Sequence, residues 1–223
     1  MASLDNVYDW ILSHGTIDFQ LETVQDALSG IAQGIQRCVE RVENAAAVGS
    51  DEYAEIIAEQ KGETIESLLG SAFVVCQTHI TRVVADIRTL HRLASNGAEG
   101  RPAVELATTT AHKREVILFG SPRIDGTNIT EVQAMDALAN YFKHRDEWVR
   151  DWANLTGQSG RTVAVIQPIG LEQGASGNLR TGAETLGNVD YVSMTSFVNK
   201  LSDWHKHLID TYKTELQNAG VLA

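Results

Sequence analysis

The chain has 223 residues, a length typical of one domain, with 43% hydrophobic and 21% charged residues. Its 18 Lys and Arg against 29 Asp and Glu give a net charge of −11. This composition excludes a disordered chain, because disorder requires low hydrophobicity. It also argues against a general polyanion-binding protein, because the overall field repels phosphates. We expect one folded domain over residues 1–223.

Composition and spacing also limit the compartment and the cofactors. The first positive residue is Arg37, so we expect no secretory or transit peptide. The longest apolar stretch, around Leu68 to Cys76, is shorter than the ~20 residues that cross a membrane. Cys38 and Cys76 are the two cysteines and do not have the spacing of a zinc site. The sequence predicts a cytoplasmic protein with two buried thiols, no metal, no cofactor and no membrane contact.

The first long helix is predicted by apolar residues in alternating steps of four and three. They are Ile17, Leu21, Val24, Leu28, Ile31, Ile35, Cys38, Val42 and Ala45. This heptad spacing is typical of a packed seam. Gly30 and Gly34 on the same helix predict the close approach of a neighbour. Gly49 should end the helix, and Ser50 followed by Asp51 predicts the N-cap of the next one.

The second long helix is predicted over about residues 52–93, with a possible break at Gly62. Its apolar stripe has a period near 3.6 residues. The stripe consists of Ile65, Leu68, Ala72, Cys76, Ile80, Val83, Ile87, Leu90 and Ala94. With the first helix it should form a long antiparallel hairpin.

The rest of the chain is predicted to complete an all-α bundle around this hairpin. An irregular connection spans residues 95–128, and residues 113–120 and 161–170 could each be strand or helix. A third helix should begin at Asn128, with a capping box to Glu131, and run to about Trp148 or Trp152. A short helix is expected around Ala183. The last helix should cover 195–218, with Gly220 just beyond its end.

Charge is unevenly distributed along the sequence. Residues 1–81 contain 3 basic and 13 acidic residues, whereas residues 82–123 contain 7 basic and 4 acidic residues. The basic residues of this second segment are Arg82, Arg88, Arg92, Arg101, Lys113, Arg114 and Arg123. They could meet a phosphate or an acidic partner, or they could simply balance the acidic helices within the fold.

The densest group of polar and aromatic residues is the segment 140–148. On a continuous helix Asp136, Asn140, His144 and Glu147 share one face. Histidine can take and give a proton near neutral pH. Neighbouring cations could stabilise an oxyanion or a phosphate. The candidate catalytic residues are His144, Asn140, Lys143 and Arg145, and the candidate partner-binding residues are Asp146, Glu147 and Trp148. The structural alternative is a solvated helix end with Trp148 and Trp152 in the core.

The hexapeptide from Ala139 to His144 resembles the signature of HEPN domains. That signature is Arg, four to six residues, then His, usually with a polar residue directly after the Arg. Asn140 and His144 match it, and Ala139 occupies the Arg position. The resemblance implies an all-α fold and a homodimer. For a chain with the complete motif, the resemblance implies metal-independent RNA cleavage by the His and the Arg. For a chain with an incomplete motif, it implies a binding or regulatory module.

Three functions remain open at this stage. The first is a HEPN-like partner-binding module that does not catalyse, and the second is an RNA endonuclease that uses His144 as acid and base. The third is an immunity-type protein whose acidic first helices mask a basic partner. Four further histidines are expected at the surface: His79, His91, His205 and His207. No GK[ST] follows the glycines of 157–177, so no nucleotide cofactor is expected.

Overall fold

The computed structural model describes residues 4–97, 103–106, 112–148, 151–189 and 191–222. These residues contain eight α-helices and no β-strand. The helices are α1 (Leu4–Ile11), α2 (His14–Val48), α3 (Asp51–Asn96), α4 (Lys113–Leu118), α5 (Glu131–His144), α6 (Gly157–Ile166), α7 (Asn178–Thr185) and α8 (Thr195–Asn218). Short 3-10 turns cover Arg145–Glu147, Trp152–Asn154 and Gln167–Ile169. The prediction of an all-α protein built from long, packed helices is therefore confirmed.

The two longest helices, α2 and α3, are joined by Gly49 and Ser50 and pack against each other. The Ser50 side chain accepts a hydrogen bond from the backbone N–H of Tyr53 at 3.3 Å, as expected for an N-cap. α3 continues through Gly62 without a break. A Cβ built on Gly34 would lie 3.2 Å from Leu68 of α3, so this glycine does allow the helices to approach closely.

α5 lies at the centre of the fold, and glycines on two neighbouring helices make room for it. A Cβ on Gly70 of α3 would fall 2.1 Å from the ring of Phe142. A Cβ on Gly182 of α7 would fall 2.5 Å from a methyl carbon of Leu138. Both distances are far below a van der Waals contact, so α5 can sit this close only because these two positions carry no side chain.

Two predictions about the third long helix are wrong. The capping box is made by Thr130 and Gln133 rather than by Asn128 and Glu131. The α-helix also ends at His144, whose backbone leaves the α region at φ −124° and ψ 0°, and a 3-10 turn follows. Trp148 and Trp152 are buried beyond that end.

The two ambiguous segments are helical. The first forms α4 inside the 95–128 connection, and the second forms the end of α6 and the turn Gln167–Ile169. α7 surrounds Ala183, and α8 begins and ends at the expected residues, with Gly220 at φ +70° beyond it. Thus α7 and α8 lie where the sequence predicted helices.

One described helix, α3, has an 18-residue window apolar enough to cross a membrane by length and composition alone. Inside this fold 56% of that window is buried. A helix at the core of a soluble protein has the same character.

Candidate functional site

The segment 140–148 does not form one continuous face. Asn140 and Lys143 lie on α5 and bond inward, while His144 is exposed at the end of the helix. His144 Nδ1 lies 3.2 Å from a carboxylate oxygen of Glu147. Arg145 packs over the ring of Phe142, with its guanidinium carbon 5.3 Å from the ring centroid. The predicted catalytic residues are therefore divided between an inner and an outer group.

The predicted partner-binding residues are divided in the same way. The Asp146 side chain is 98% exposed and the Glu147 side chain 71%. Trp148 is buried, and its ring packs against Tyr141 and Trp152 with centroids 5.7 and 6.4 Å away. The two acids are accessible to a partner, whereas the indole of Trp148 belongs to an aromatic cluster that closes the end of α5.

The inner group is a polar network centred on Gln77 of α3. Its amide nitrogen donates to Oδ1 of Asp136 at 2.7 Å and to Oδ1 of Asn140 at 3.1 Å. Its amide oxygen accepts from Lys143 Nζ at 2.6 Å. Lys113 Nζ lies 2.7 Å from the same Asp136 oxygen. The network satisfies the buried polar atoms of Gln77 and Asp136 and fixes α3, α4 and α5 relative to one another.

A cleft of about 550 Å³ opens beside this network, between α4, α5 and α6. Ile117, Ile129 and Val165 give it an apolar wall. Among the described residues, the charged ones that line it are Lys113, Arg114, Asp136 and Arg161. His144 is not among the residues that line it. The cleft combines apolar surface with three cations and one carboxylate.

The basic residues of 82–123 do not all come together in the structure. Lys113 and Arg114 line the cleft, where they meet Arg161 from α6. Arg82 pairs with Asp86 on its own helix, and Arg123 bonds to the side chain of Asn128. Arg101 lies outside the described residues. The local positive charge is therefore built from parts of the chain that are distant in sequence.

The end of the α2–α3 hairpin is the most exposed part of the two long helices. Between residues 40 and 63, Ala45 is the single buried residue. Glu55, Glu59 and Glu63 follow one another at four-residue steps on α3, and all three are exposed. Three large apolar side chains are exposed on the same tip: Val48 (86%), Tyr53 (51%) and Ile56 (47%). We call residues 40–63 the hairpin tip.

The expectation that His79, His91, His205 and His207 lie at the surface is wrong for two of them. His79 on α3 and His205 on α8 are 3% and 2% exposed, and their rings meet edge to face with centroids 5.1 Å apart. His79 Nε2 and His205 Nδ1 have no hydrogen-bond partner among the described residues. Burial lowers the pKa of His79 to about 4. Burial, with the charges of His79 and His14, lowers the pKa of His205 to about 3.

The described residues include no group of three or more His, Cys, Asp or Glu side chains placed to hold a metal ion.

Gln77 and Arg161 were not identified from sequence. The signal for Gln77 is its spacing, four residues after Phe73 and three before Ile80, which places a polar side chain on an apolar helix face. Arg161 carries no such signal, because only the packing of α6 brings it to the cleft.

Comparison of the chain with models of known protein families, with curated proteins and with solved structures finds no match.

Proposed function

We propose that the protein is a HEPN-like helical module that does not catalyse and that binds a basic protein partner through the hairpin tip. The observation that carries this proposal is the row of exposed carboxylates at Glu55, Glu59 and Glu63. Like charges at four-residue spacing destabilise a helix, so this row is unfavourable for the free chain. A cationic partner would turn that repulsion into attraction.

Exposed apolar side chains next to the acidic row support the same surface. Ile56 is three residues from Glu59 and therefore lies on the same side of α3. Together with Tyr53 and Val48 it offers apolar area that a partner can cover, while the carboxylates give orientation and a fast encounter. The partner chemistry that fits is a positively charged surface or helix with exposed aliphatic groups.

The environment of His144 supports a role in structure or partner binding rather than in catalysis. Its contact is a carboxylate, and the adjacent Lys143 is held by Gln77. Cleavage of a phosphodiester would require a cation at the position of Ala139, and alanine, which is fully buried here, does not supply one.

The RNA endonuclease remains the alternative proposal. We expect no cleavage when wild-type protein and His144→Ala are incubated with mixed RNA in EDTA. Cleavage by the wild type that the variant loses would establish the alternative.

The binding proposal is tested with a synthetic amphipathic helical peptide of Lys and Leu as probe. Fluorescence anisotropy should show binding that weakens with added salt. Glu59→Lys should weaken it by about tenfold, since one carboxylate at the centre of the row becomes a cation. Asp203→Lys, an exposed acid on α8, makes the same charge change away from the tip and should leave the affinity unchanged. Equal losses in both variants would show a response to net charge alone and would refute the tip as the binding surface.

Association of the chain with itself is a separate proposal, implied by the resemblance. Light scattering at micromolar concentration should give a mass near twice the 24.3 kDa of the chain. The heptad seam of α2 is not available for this purpose, because Ile17, Leu28 and Ile35 are fully buried within one chain. A mass of one chain would refute the dimer and leave the proposal for the tip standing.

A further inference from the structure

The cleft between α4, α5 and α6 has an electrostatic character opposite to that of the whole molecule. Within the described part of the chain, three cations and one carboxylate line it, on a protein of net charge −11. A concave site with walls of one sign concentrates ions of the opposite sign, even when the net charge would repel them. The residues that create this charge lie on three different elements.

The cations of the cleft differ in how far they are already engaged. Lys113 is paired with Asp136, so these two charges offset each other. Arg161 bonds to the neutral side chain of Gln158 at 2.9 Å, and neither Arg161 nor Arg114 forms an ion pair with a carboxylate within the described part of the chain. Two guanidinium groups are therefore available to an incoming anion. Guanidinium binds carboxylate, sulfonate and phosphate oxygens through two parallel hydrogen bonds.

The remainder of the cleft is suited to an apolar group. Ile117, Ile129 and Val165 supply the wall, and the volume of about 550 Å³ is in the range of small-molecule sites. The Gln77 network beneath it holds Asp136 and Asn140 in place, so this part of the lining is preorganised for a ligand.

We propose that this cleft binds a small amphipathic organic anion, with its charged group between Arg114 and Arg161 and its apolar body against the wall formed by Ile117, Ile129 and Val165. The site is distinct from the hairpin tip, which carries the opposite charge. The two proposals can therefore fail independently.

The experiment uses two probes that differ in one charged group. 8-Anilinonaphthalene-1-sulfonate has an apolar ring system and a sulfonate, and 1-anilinonaphthalene has the same rings without the charge. Fluorescence titration of the wild type should show one saturable site for the sulfonate and at least tenfold weaker binding of the neutral compound. Octanoate and octyl phosphate should displace the sulfonate, and octanol should not. Near-UV circular dichroism recorded during the titration checks that the fold is intact.

Variants then locate the site. Arg114→Ala with Arg161→Ala should weaken binding of the sulfonate by at least tenfold and leave the neutral compound unaffected. Arg37→Ala with Lys213→Ala removes the same charge from exposed positions on α2 and α8, outside both the cleft and the hairpin tip, and should change neither. Ala164→Trp places an indole in the cleft and should abolish binding of both probes. The proposal is overturned if the two double variants lose affinity equally, if the neutral compound binds as tightly as the sulfonate, or if Ala164→Trp binds normally.

Discussion

At the scale of single residues, burial changes the protonation chemistry of His79, His205 and Cys76. The two imidazoles lie against each other between α3 and α8, and the thiol lies one turn before His79. In each case the surroundings disfavour the charged form, because the apolar core does not solvate it. These residues act as parts of the core, although their side chains are chemically reactive in water.

The histidine pair should make stability depend on pH in acid. The pKa values of His79 and His205 in the folded protein, about 4 and about 3, lie below the ordinary value of 6.5. At pH values between the folded pKa and 6.5, the unfolded chain therefore binds more protons than the folded protein. The contribution of the pair to the free energy of unfolding is therefore fully present above pH 6.5 and is lost as the pH falls through 4 and 3. For His79 alone the loss is on the order of 3 kcal/mol.

The check is urea unfolding at a series of pH values. His79→Leu combined with His205→Leu should show a clearly smaller loss of unfolding free energy between pH 6.5 and 4 than the wild type. His207→Gln, a change at an exposed histidine, should keep the wild-type dependence. An unchanged slope in the double variant would mean that the pair does not cause the acid sensitivity.

The two cysteines should resist thiol reagents in the native protein. Cys38 and Cys76 are both buried, as the apolar stripes predicted. Burial raises the pKa of the Cys76 thiol to about 12, so almost no reactive thiolate exists at neutral pH. We expect negligible labelling by a chromogenic disulfide over minutes at pH 8 and two equivalents in denaturant. Rapid reaction of Cys76 in the native state would contradict its place in the core.

At the scale of elements, the long helices are held by a few positions where side-chain size or charge decides the fit. Glu66 is one of them: its buried carboxylate accepts hydrogen bonds from the backbone N–H groups of Leu179 and Arg180, at 3.0 and 3.1 Å. The Arg180 guanidinium donates to the same carboxylate at 3.0 Å. The charge satisfies the free N–H groups at the start of α7 and ties that helix to α3.

Two glycines of α3 provide a matched pair for testing the helix contacts. Both sit in a helix interior, but Gly62 has open space around a built Cβ, while Gly70 faces Phe142 of α5. Gly62→Ala should stabilise by up to about 1 kcal/mol, because alanine is the better helix former. Gly70→Ala should destabilise by about 1–3 kcal/mol, because the ring of Phe142, or α5 with it, must shift. Thermal unfolding of both variants measures the difference, and equal effects would show that α5 does not depend on the glycine.

How much of this could be read from the sequence depends on whether the signal is local. The period of apolar residues predicted α8 to its ends and the length of α2 and α3, because one face of each helix must be buried. Gly30 shows the limit: it shares a helix with Gly34 but has nothing within 4 Å of a built Cβ. The end of α5 was missed for the same reason. No helix-breaking residue stands at that end of α5, where Trp148 instead packs on Tyr141.

The candidate site was less predictable than the fold. Asn140 and Lys143 were identified as polar residues on one helix, but their partner Gln77 is more than 60 residues away in sequence. The cleft needs Arg161 from α6, and no spacing rule links that residue to Lys113. Contacts between elements depend on packing, which a periodic pattern specifies only in part.

At the scale of the whole molecule, charge is separated between two surfaces. The hairpin tip is strongly acidic, and the cleft at α4, α5 and α6 is lined mainly by cations. A net charge of −11 adds self-repulsion to the folded state. Part of this repulsion should originate on α3, where Glu55, Glu59 and Glu63 follow one another at four-residue steps.

Replacing the central acid of this row should therefore stabilise the protein. Glu59→Lys converts two repulsive pairs, with Glu55 and Glu63, into two attractive ones. A repulsive pair costs about 0.2–0.5 kcal/mol and an attractive pair contributes a similar amount, so the free energy of unfolding should rise by roughly 1 kcal/mol. The unfolding midpoint should rise by about 2–4 °C for a protein of this size.

Salt gives an independent measure of the same repulsion. Ions screen exposed charges over a Debye length of about 8 Å at physiological ionic strength and about 3 Å at 1 M. Added sodium chloride should therefore raise the unfolding midpoint of the wild type and reduce the difference between its midpoint and that of Glu59→Lys. Differential scanning calorimetry of both proteins from 20 mM to 1 M salt provides the data, with Asp203→Lys as the control outside the row. If Glu59→Lys is no more stable than the wild type at low salt, the row is not a source of repulsion, and the argument for a cationic partner at the hairpin tip loses its basis.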